Sequence, residues 1–326
     1  MCAPYPQNVG GREGGSVDEL RFDGQTVIIT GAGRNLGREY ALLLASRGAS
    51  VVVNDLGVGI SDTDGRAESP LINPADDVVA EIIAAGGRAV VSYDSVATSA
   101  GGEAIVATAL DAFGRVDVVV NNAGQVRMVP FPEFTDELID AVVDTQLRGV
   151  LNVSRPAWRA MEAAGGGRFV NVSSGAAWGG APNGSVYGMA KMGVIGLTRA
   201  MAAEGHVSGI TANVLAPYAK TRPGSGFGAL PWSDELGEWL HPSKVAPVVG
   251  WLAHPSCPLS GECLSVGGGH FALVEMIMHE GLVDRDPTIE SVAAGIEAIV
   301  ASAASPISGG SALALRHMLE GFTSPA

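Results

Sequence analysis

Cysteine is scarce in this chain, with only Cys2, Cys257 and Cys263 in 326 residues. Thiols so few and so unevenly spaced exclude a disulfide-framed fold, and the six histidines are too scattered for a zinc-ligand pattern, so no metal is expected. His254 with Cys257 and Cys263 can be drawn as a site, but a loop beside a sheet edge explains them more simply. Basic residues are also few. Twenty Lys and Arg stand against 34 Asp and Glu, a net charge of -14, which leaves no basic patch to displace counterions and excludes nucleic acid as a partner. No apolar run reaches the roughly eighteen residues of a membrane span, and Met1 to Gly15 lacks the charged and apolar regions of a signal peptide. These absences predict a soluble, cytoplasmic protein with no membrane partner.

What is present alternates. Short β-branched runs at Val27 to Thr30, Val51 to Asn54, Ala89 to Ser92, Val116 to Asn121, Phe169 to Val172 and Thr211 to Leu215 read as strands covered on both faces. Between them Leu36 to Arg47, Ala75 to Ala85, Glu103 to Phe113, Asp136 to Met161 and Val186 to Ala203 carry helical periodicity. The pattern predicts an α/β fold, a doubly wound parallel sheet of the Rossmann kind in one main domain. We place that domain at residues 21–270, after a glycine-rich arm over 1–20 and before a C-terminal helical extension over 271–326 that contains a helix at Ile289 to Ala301. The sheet is expected to be complete by Gly269. Gly57 to Pro74 reads as an exposed loop near the adenosine end of a cofactor, and Pro217 to Trp232 as a loop in the position of a lid.

A glycine-rich turn, Thr30-Gly31-Ala32-Gly33-Arg34-Asn35-Leu36-Gly37, lies between the first strand and the first helix. There, backbone amides and the helix dipole hold a pyrophosphate. Asn35 stands where a glycine is expected, and asparagine tolerates left-handed geometry better than most residues. Asp55 ends the second strand about twenty residues later, where a carboxylate binds the adenosine ribose and repels a 2′-phosphate. NAD is therefore the expected cofactor, although Arg34 beside the turn could pair with that phosphate. Leu56, Asp94 and Ser95 follow the next strand ends, Asn122, Ala123 and Gly124 leave the fourth, and Pro217 and Thr221 follow the sixth. All are expected along the cofactor.

Ser174, Tyr187 and Lys191 form the most informative set. Thirteen residues separate the hydroxyl from the phenol, and the ammonium lies one helical turn further on. At i and i+4, Tyr187 and Lys191 share a helix face, so the cation is expected to lower the phenol's pKa and make it a usable acid or base.

In this order the motifs resemble the short-chain dehydrogenase/reductase family over roughly Phe22 to Gly269. Within it, Gly31-Ala-Gly, Leu36-Gly-Arg-Glu-Tyr-Ala, Val53-Asn-Asp-Leu-Gly, Tyr93-Asp-Ser, Ala109-Leu-Asp-Ala-Phe-Gly-Arg and Leu147-Arg-Gly look like the dehydrogenase unit of peroxisomal multifunctional enzyme type 2. The resemblance implies NAD-dependent oxidation of a (3R)-hydroxyacyl-CoA, with Tyr187 as base, Lys191 on the phenolate and nicotinamide ribose, and Ser174 on the substrate oxygen. Ser173 is a rival for the last role, and the family's thirteen-residue spacing favours Ser174. Gln146 stands where many members place a relay Asn, and Tyr218 follows Pro217 where Gly is usual. Arg127, Arg148, Lys220 and Arg222 are candidates for the phosphates of an acyl-CoA. The resemblance also implies a homodimer or homotetramer, and it puts the hydratase and sterol-carrier activities of that enzyme on another chain. Two alternatives stand: a 17β-hydroxysteroid or other secondary-alcohol dehydrogenase, and a nucleotide-sensing protein without catalysis.

Overall fold

A computed structural model describes residues 18–57, 59–60, 67–68, 73–221 and 234–306. Most of the expected arm, much of the loop from Gly57 to Pro74, residues 222–232 of the lid position including Arg222, and the tail after 306 lie outside the described residues.

The chain runs β1 (Thr26–Thr30), α1 (Asn35–Ser46), β2 (Ser50–Asn54), a short antiparallel pair β3 (Gly59–Ile60) and β4 (Ala67–Glu68), α2 (Pro74–Ala84), β5 (Arg88–Ser92), α3 (Ser99–Phe113), β6 (Val118–Asn121) and α4 (Asp136–Val143). It continues through α5 (Gly149–Ala164), β7 (Gly167–Val172), α6 (Ala176–Gly179), α7 (Ser185–Gly205), β8 (Ile210–Pro217), α8 (Asp234–Trp239), α9 (Ala246–Ala253), β9 (Cys263–Gly267) and β10 (His270–Leu273). Beyond these, α10 (Ile289–Ala301) stands between β11 (Ile277–His279) and β12 (Ala304–Pro306), which pair antiparallel.

Eight strands form the main sheet in the order β10-β9-β8-β7-β6-β1-β2-β5, and every pair is parallel except β9 with β10. This is the doubly wound α/β architecture that the alternation predicts. Side-chain direction alternates along each strand, so Val27, Ile29, Val51, Val53, Val118 and Val120 join one core, while Ile28, Val52 and Val119 join the core on the opposite face. Helices α1, α2 and α9 cover the first face with Tyr40, Leu44, Ile82 and Leu252, and α3 and α5 cover the second with Ile105, Val153 and Met161. Each such side chain contributes about 1.5–3 kcal/mol by leaving water, which is why β-branched runs buried on both faces set the sheet.

Two expectations change. The sheet is not complete at Gly269: β10 adds an antiparallel edge strand beyond it. The periodic stretch from Asp136 to Met161 is not one regular helix, because a π-helical turn over Asp144–Arg148 separates α4 from α5 and turns Gln146 into the interior. Pro156 lies inside α5 and lacks the N–H that would bond the Asn152 carbonyl. That carbonyl faces Gly102 of α3, where a Cβ would collide with it, so a glycine lets the two helices close.

Candidate active site

Strand order reverses between β1 and β6, and the crevice at their carboxyl ends is where open α/β sheets bind nucleotides. Gly31 has φ +62°, and a Cβ there would lie 2.8 Å from Ala123 Cα. At Gly37 a Cβ would overlap the Gly31 carbonyl and come within 2.7 Å of Asn122 Nδ2. Asn35 takes the left-handed conformation at φ 49°, as its place in the turn predicts. Arg34 caps α1 with no side-chain hydrogen bond to the first turn, which carries no acidic residue, so the helix's leading amides remain open to an anion. Arg34 makes no ion pair among the described residues.

Asp55 sits beside this turn. Its Oδ2 accepts from Gly33 N at 3.0 Å and its Oδ1 from Gly57 N at 3.0 Å. Each oxygen keeps a second lone pair, so the carboxylate holds the turn and can still accept from a ribose. Leu56 beside it is exposed, and Leu36 packs onto the core instead of facing outward. Asp94 is tied to Ser92 Oγ at 3.1 Å, its carbonyl accepts from Asn54 Nδ2 at 2.9 Å, and Ser95 Oγ accepts from Ala97 N at 3.2 Å. A dinucleotide fits this set: uncapped amides for its phosphates, a carboxylate for a ribose, and a cradle that side chains would fill.

On the β6 side the sequence reading missed a clamp. Thr30 Oγ1 accepts from Asn122 N at 3.1 Å and Ala123 N at 3.0 Å, while Asn122 Nδ2 donates to the Thr30 and Gly31 carbonyls at 3.0 Å each. Asn122 thus spends its amide on holding the turn. The polar residue ending β1 directly before the glycines was the available signal. Deeper in, Asn121 donates to Asn171 Oδ1 at 2.8 Å and Asn171 to Thr198 Oγ1 at 2.9 Å, a buried chain that links β6 and β7 to α7. Pro217 pairs with Val266 at the end of β8, and Thr221 lies at the edge of the described residues.

Catalytic candidates converge where β7 meets α7. Ser174 neighbours the Tyr187 phenol and opposes the rise of its pKa, while Ser174 Oγ accepts from Ala176 N at 3.3 Å and Lys191 Nζ lies 5.8 Å from the centroid of the Tyr187 ring. Ser173 Oγ instead donates to the Lys191 carbonyl at 2.8 Å, which ties strand to helix and leaves Ser174 to meet the phenol. Lys191 is buried and donates from Nζ to the Val172 carbonyl at 2.6 Å.

The expected effect of the lysine on the phenol is corrected by these surroundings. Burial raises the Tyr187 pKa above its ordinary value, opposed only by the neighbouring Ser174, and burial pushes the Lys191 ammonium down to about 7. Shared helix face did bring the groups together, but desolvation outweighs attraction because it penalises the charged form of each.

Gln146 is buried on its π-helical turn, donates from Nε2 to the Gln125 carbonyl at 2.7 Å, and leaves Oε1 with no partner among the described residues. Gly124 makes room for it, since a Cβ there would lie 2.5 Å from that oxygen. Of the basic candidates, Arg148 is engaged with Asp144 at 2.6 Å, and Lys220 is exposed beside Gly237, 2.8 Å from where its Cβ would lie. Arg127 is partly buried. His254 packs edge-on against Phe22 with its ring nitrogens near Ser256 Oγ and the Arg21 carbonyl, and Cys257 and Cys263 are separately buried.

The short chain dehydrogenase family model matches residues 25–222, which contain the turn, the clamp and all three catalytic candidates. The chain belongs to this family. It is an NAD-dependent oxidoreductase. A short-chain type dehydrogenase/reductase of Mycobacterium tuberculosis is 44% identical over 271 residues, 83% of this chain and 92% of that one. Peroxisomal multifunctional enzyme type 2 of Mus musculus is 45% identical over 250 residues, 77% of this chain and 32% of that enzyme. The chain thus matches about a third of the mouse enzyme's length. The solved full-length enzyme of that name from Drosophila melanogaster superposes with a TM-score of 0.74 at 33% identity, covering 92% of this chain and 50% of that one.

These relatives overturn the expected cytoplasmic placement, since the mouse and fly proteins are named as peroxisomal enzymes. An acidic chain with few cysteines suits several compartments equally, so composition had no power to choose among them. No helix among the described residues is long and apolar enough to cross a membrane.

Proposed function

We propose that the protein is a dehydrogenase of 3-hydroxyacyl-CoA thioesters from fatty-acid or steroid side-chain degradation, with Ser174, Tyr187, Lys191 and Gln146 as its catalytic residues. The observation that carries this reading is the meeting of Ser174 and Tyr187 beside a buried Lys191, in a chain similar to peroxisomal multifunctional enzyme type 2. Bound NAD supplies a two-electron acceptor at its nicotinamide carbon.

Ser174 holds the substrate oxygen, and Tyr187 exchanges a proton with it. In the free chain the phenol keeps its proton, the form that donates to a carbonyl in reduction. Oxidation needs that proton removed, and a protonated Lys191 near it favours removal. A lysine with a pKa of about 7 changes charge at neutral pH without leaving its site. The unpartnered Gln146 Oε1 supports a role in the proton path, as an acceptor for water leading away from the pair. Asp55 at the turn supports preference for NAD over NADP. The cofactor is held by the segments named for it in the sequence.

Residues 21–270 form the catalytic unit in this reading, with 1–20 as an arm and 271–326 as an extension. Exposed Leu151 on α5 and Met189 and Met192 on α7 support a homodimer or homotetramer, tested by sedimentation. The functional test is NADH formation with a panel of 3-hydroxyacyl-CoAs, hydroxysteroids and simple secondary alcohols, each with NAD and NADP. Highest kcat/KM on a hydroxyacyl-CoA with NAD is expected. Higher efficiency on hydroxysteroids overturns the substrate class, and NAD binding without turnover of any alcohol favours a nucleotide sensor.

A further inference from the structure

Tyr218 occupies a position that the family usually gives to glycine, and its surroundings are built around it. Pro217 pairs with Val266, and Tyr218 N donates to the Val266 carbonyl at 2.7 Å, so its backbone is fixed to the sheet. Gly267 closes against it: a Cβ there would lie 2.5 Å from the Tyr218 carbonyl oxygen and 2.8 Å from its Cβ. From this anchor the side chain reaches Gly175, where any Cβ would overlap the Tyr218 hydroxyl. Two glycines therefore accommodate one tyrosine. Gly175 directly follows Ser174, about 3.8 Å from Cα to Cα, so the phenol stands one residue from the hydroxyl that neighbours Tyr187.

The Tyr218 hydroxyl has no hydrogen-bond partner among the described residues, and the side chain is 39% exposed. A donor fixed beside Ser174 on a solvent-exposed residue suits a ligand with a second polar atom close to its reacting oxygen. A 3-hydroxyacyl thioester has such an atom, because one methylene separates its carbinol carbon from its thioester carbonyl.

We infer that Tyr218 is a specificity-determining residue whose hydroxyl donates a hydrogen bond to the thioester carbonyl of the substrate. This rests on the hydroxyacyl-CoA reading above. No bond is made or broken by Tyr218: it selects substrates with a second oxygen and orients the first toward Ser174 and Tyr187.

The test compares the wild-type protein with Tyr218→Phe, using NAD and two probes, 3-hydroxyhexanoyl-CoA and its thioether analogue with a methylene in place of the carbonyl. One neutral hydrogen bond sets the scale, so the variant is expected to lose about tenfold in kcat/KM on the thioester and to leave the thioether rate and the NAD dissociation constant unchanged. Equal loss on both probes, no loss on the thioester, or weakened NAD binding overturns the inference while wild-type turnover of the thioester upholds the substrate reading. A wild-type protein active on hydroxysteroids and inert toward both CoA probes overturns the substrate reading, and this inference falls with it.

Discussion

At the nucleotide end of the cleft, β1, α1 and the exit of β6 meet backbone to backbone, so closely that one methyl at Gly31 or Gly37 collides with its neighbours. At the other end, Ser174, Tyr187 and Lys191 come together as side chains, and burial decides which of them carries charge. Shape governs the first end and solvation the second. A glycine is a direct statement about space, so the first is written residue by residue. A tyrosine four positions before a lysine says only that the two are near each other.

The sharpest way to break this contrast at the nucleotide end is Gly37→Val. Its branched side chain meets the Gly31 carbonyl and the Asn122 amide, neither of which can move without opening the clamp. We expect a loss of about 3 kcal/mol in unfolding free energy, with a large loss of NAD affinity, read by denaturant titration and calorimetry. Unchanged stability and NAD affinity would mean that the turn is not close-packed.

At the other end the equivalent test is pH. Lys191 has a folded pKa of about 7 against 10.5 for the ordinary group, so between these values the unfolded chain binds the extra proton. Stability of the NAD-free protein from this residue therefore rises with pH above about 7, and below it the full penalty of the buried group is present. From about pH 7 to 9 the gain is on the order of 2 kcal/mol, at up to about 1.4 kcal/mol per unit. Lys191→Met is expected to lose this slope. A wild-type slope equal to that of the variant would refute the assigned desolvation.

A smaller effect separates chemistry from packing. Tyr40 on α1 is fully buried, its hydroxyl has no hydrogen-bond partner among the described residues, and burial alone raises its pKa. Its unpartnered oxygen has no place in the proposed proton path, so Tyr40→Phe is expected to raise unfolding free energy by about 1 kcal/mol and leave turnover unchanged. A loss of activity would place α1's interior in the proton path.

Much of the architecture was readable for the same reason as the nucleotide turn. Val27 to Thr30 and Val51 to Asn54 are short β-branched runs, and strands buried on both faces need such runs. Asn35 was readable as a left-handed residue because few side chains other than glycine tolerate that geometry. The last two strands of the sheet were not. β9 and β10 are only partly buried and carry no β-branched run, so packing leaves a weak imprint on their sequence. Neither was the π-helical turn, since a run that is periodic on average does not mark the one place where Gln146 turns inward. Ser173 and Ser174 were distinguishable only by family spacing, and the bond of Ser173 to the Lys191 carbonyl now separates them. Charge state at Tyr187 and Lys191 lay beyond the sequence altogether, because it depends on how much water the fold leaves beside them.

Turnover and NAD binding measured side by side for the wild-type protein and Tyr187→Phe test the central claim most directly. The account predicts an NAD dissociation constant within about twofold of wild type and a fall in kcat of roughly 100-fold to 10,000-fold, the range for loss of a general acid or base. Wild-type turnover in the variant would contradict it.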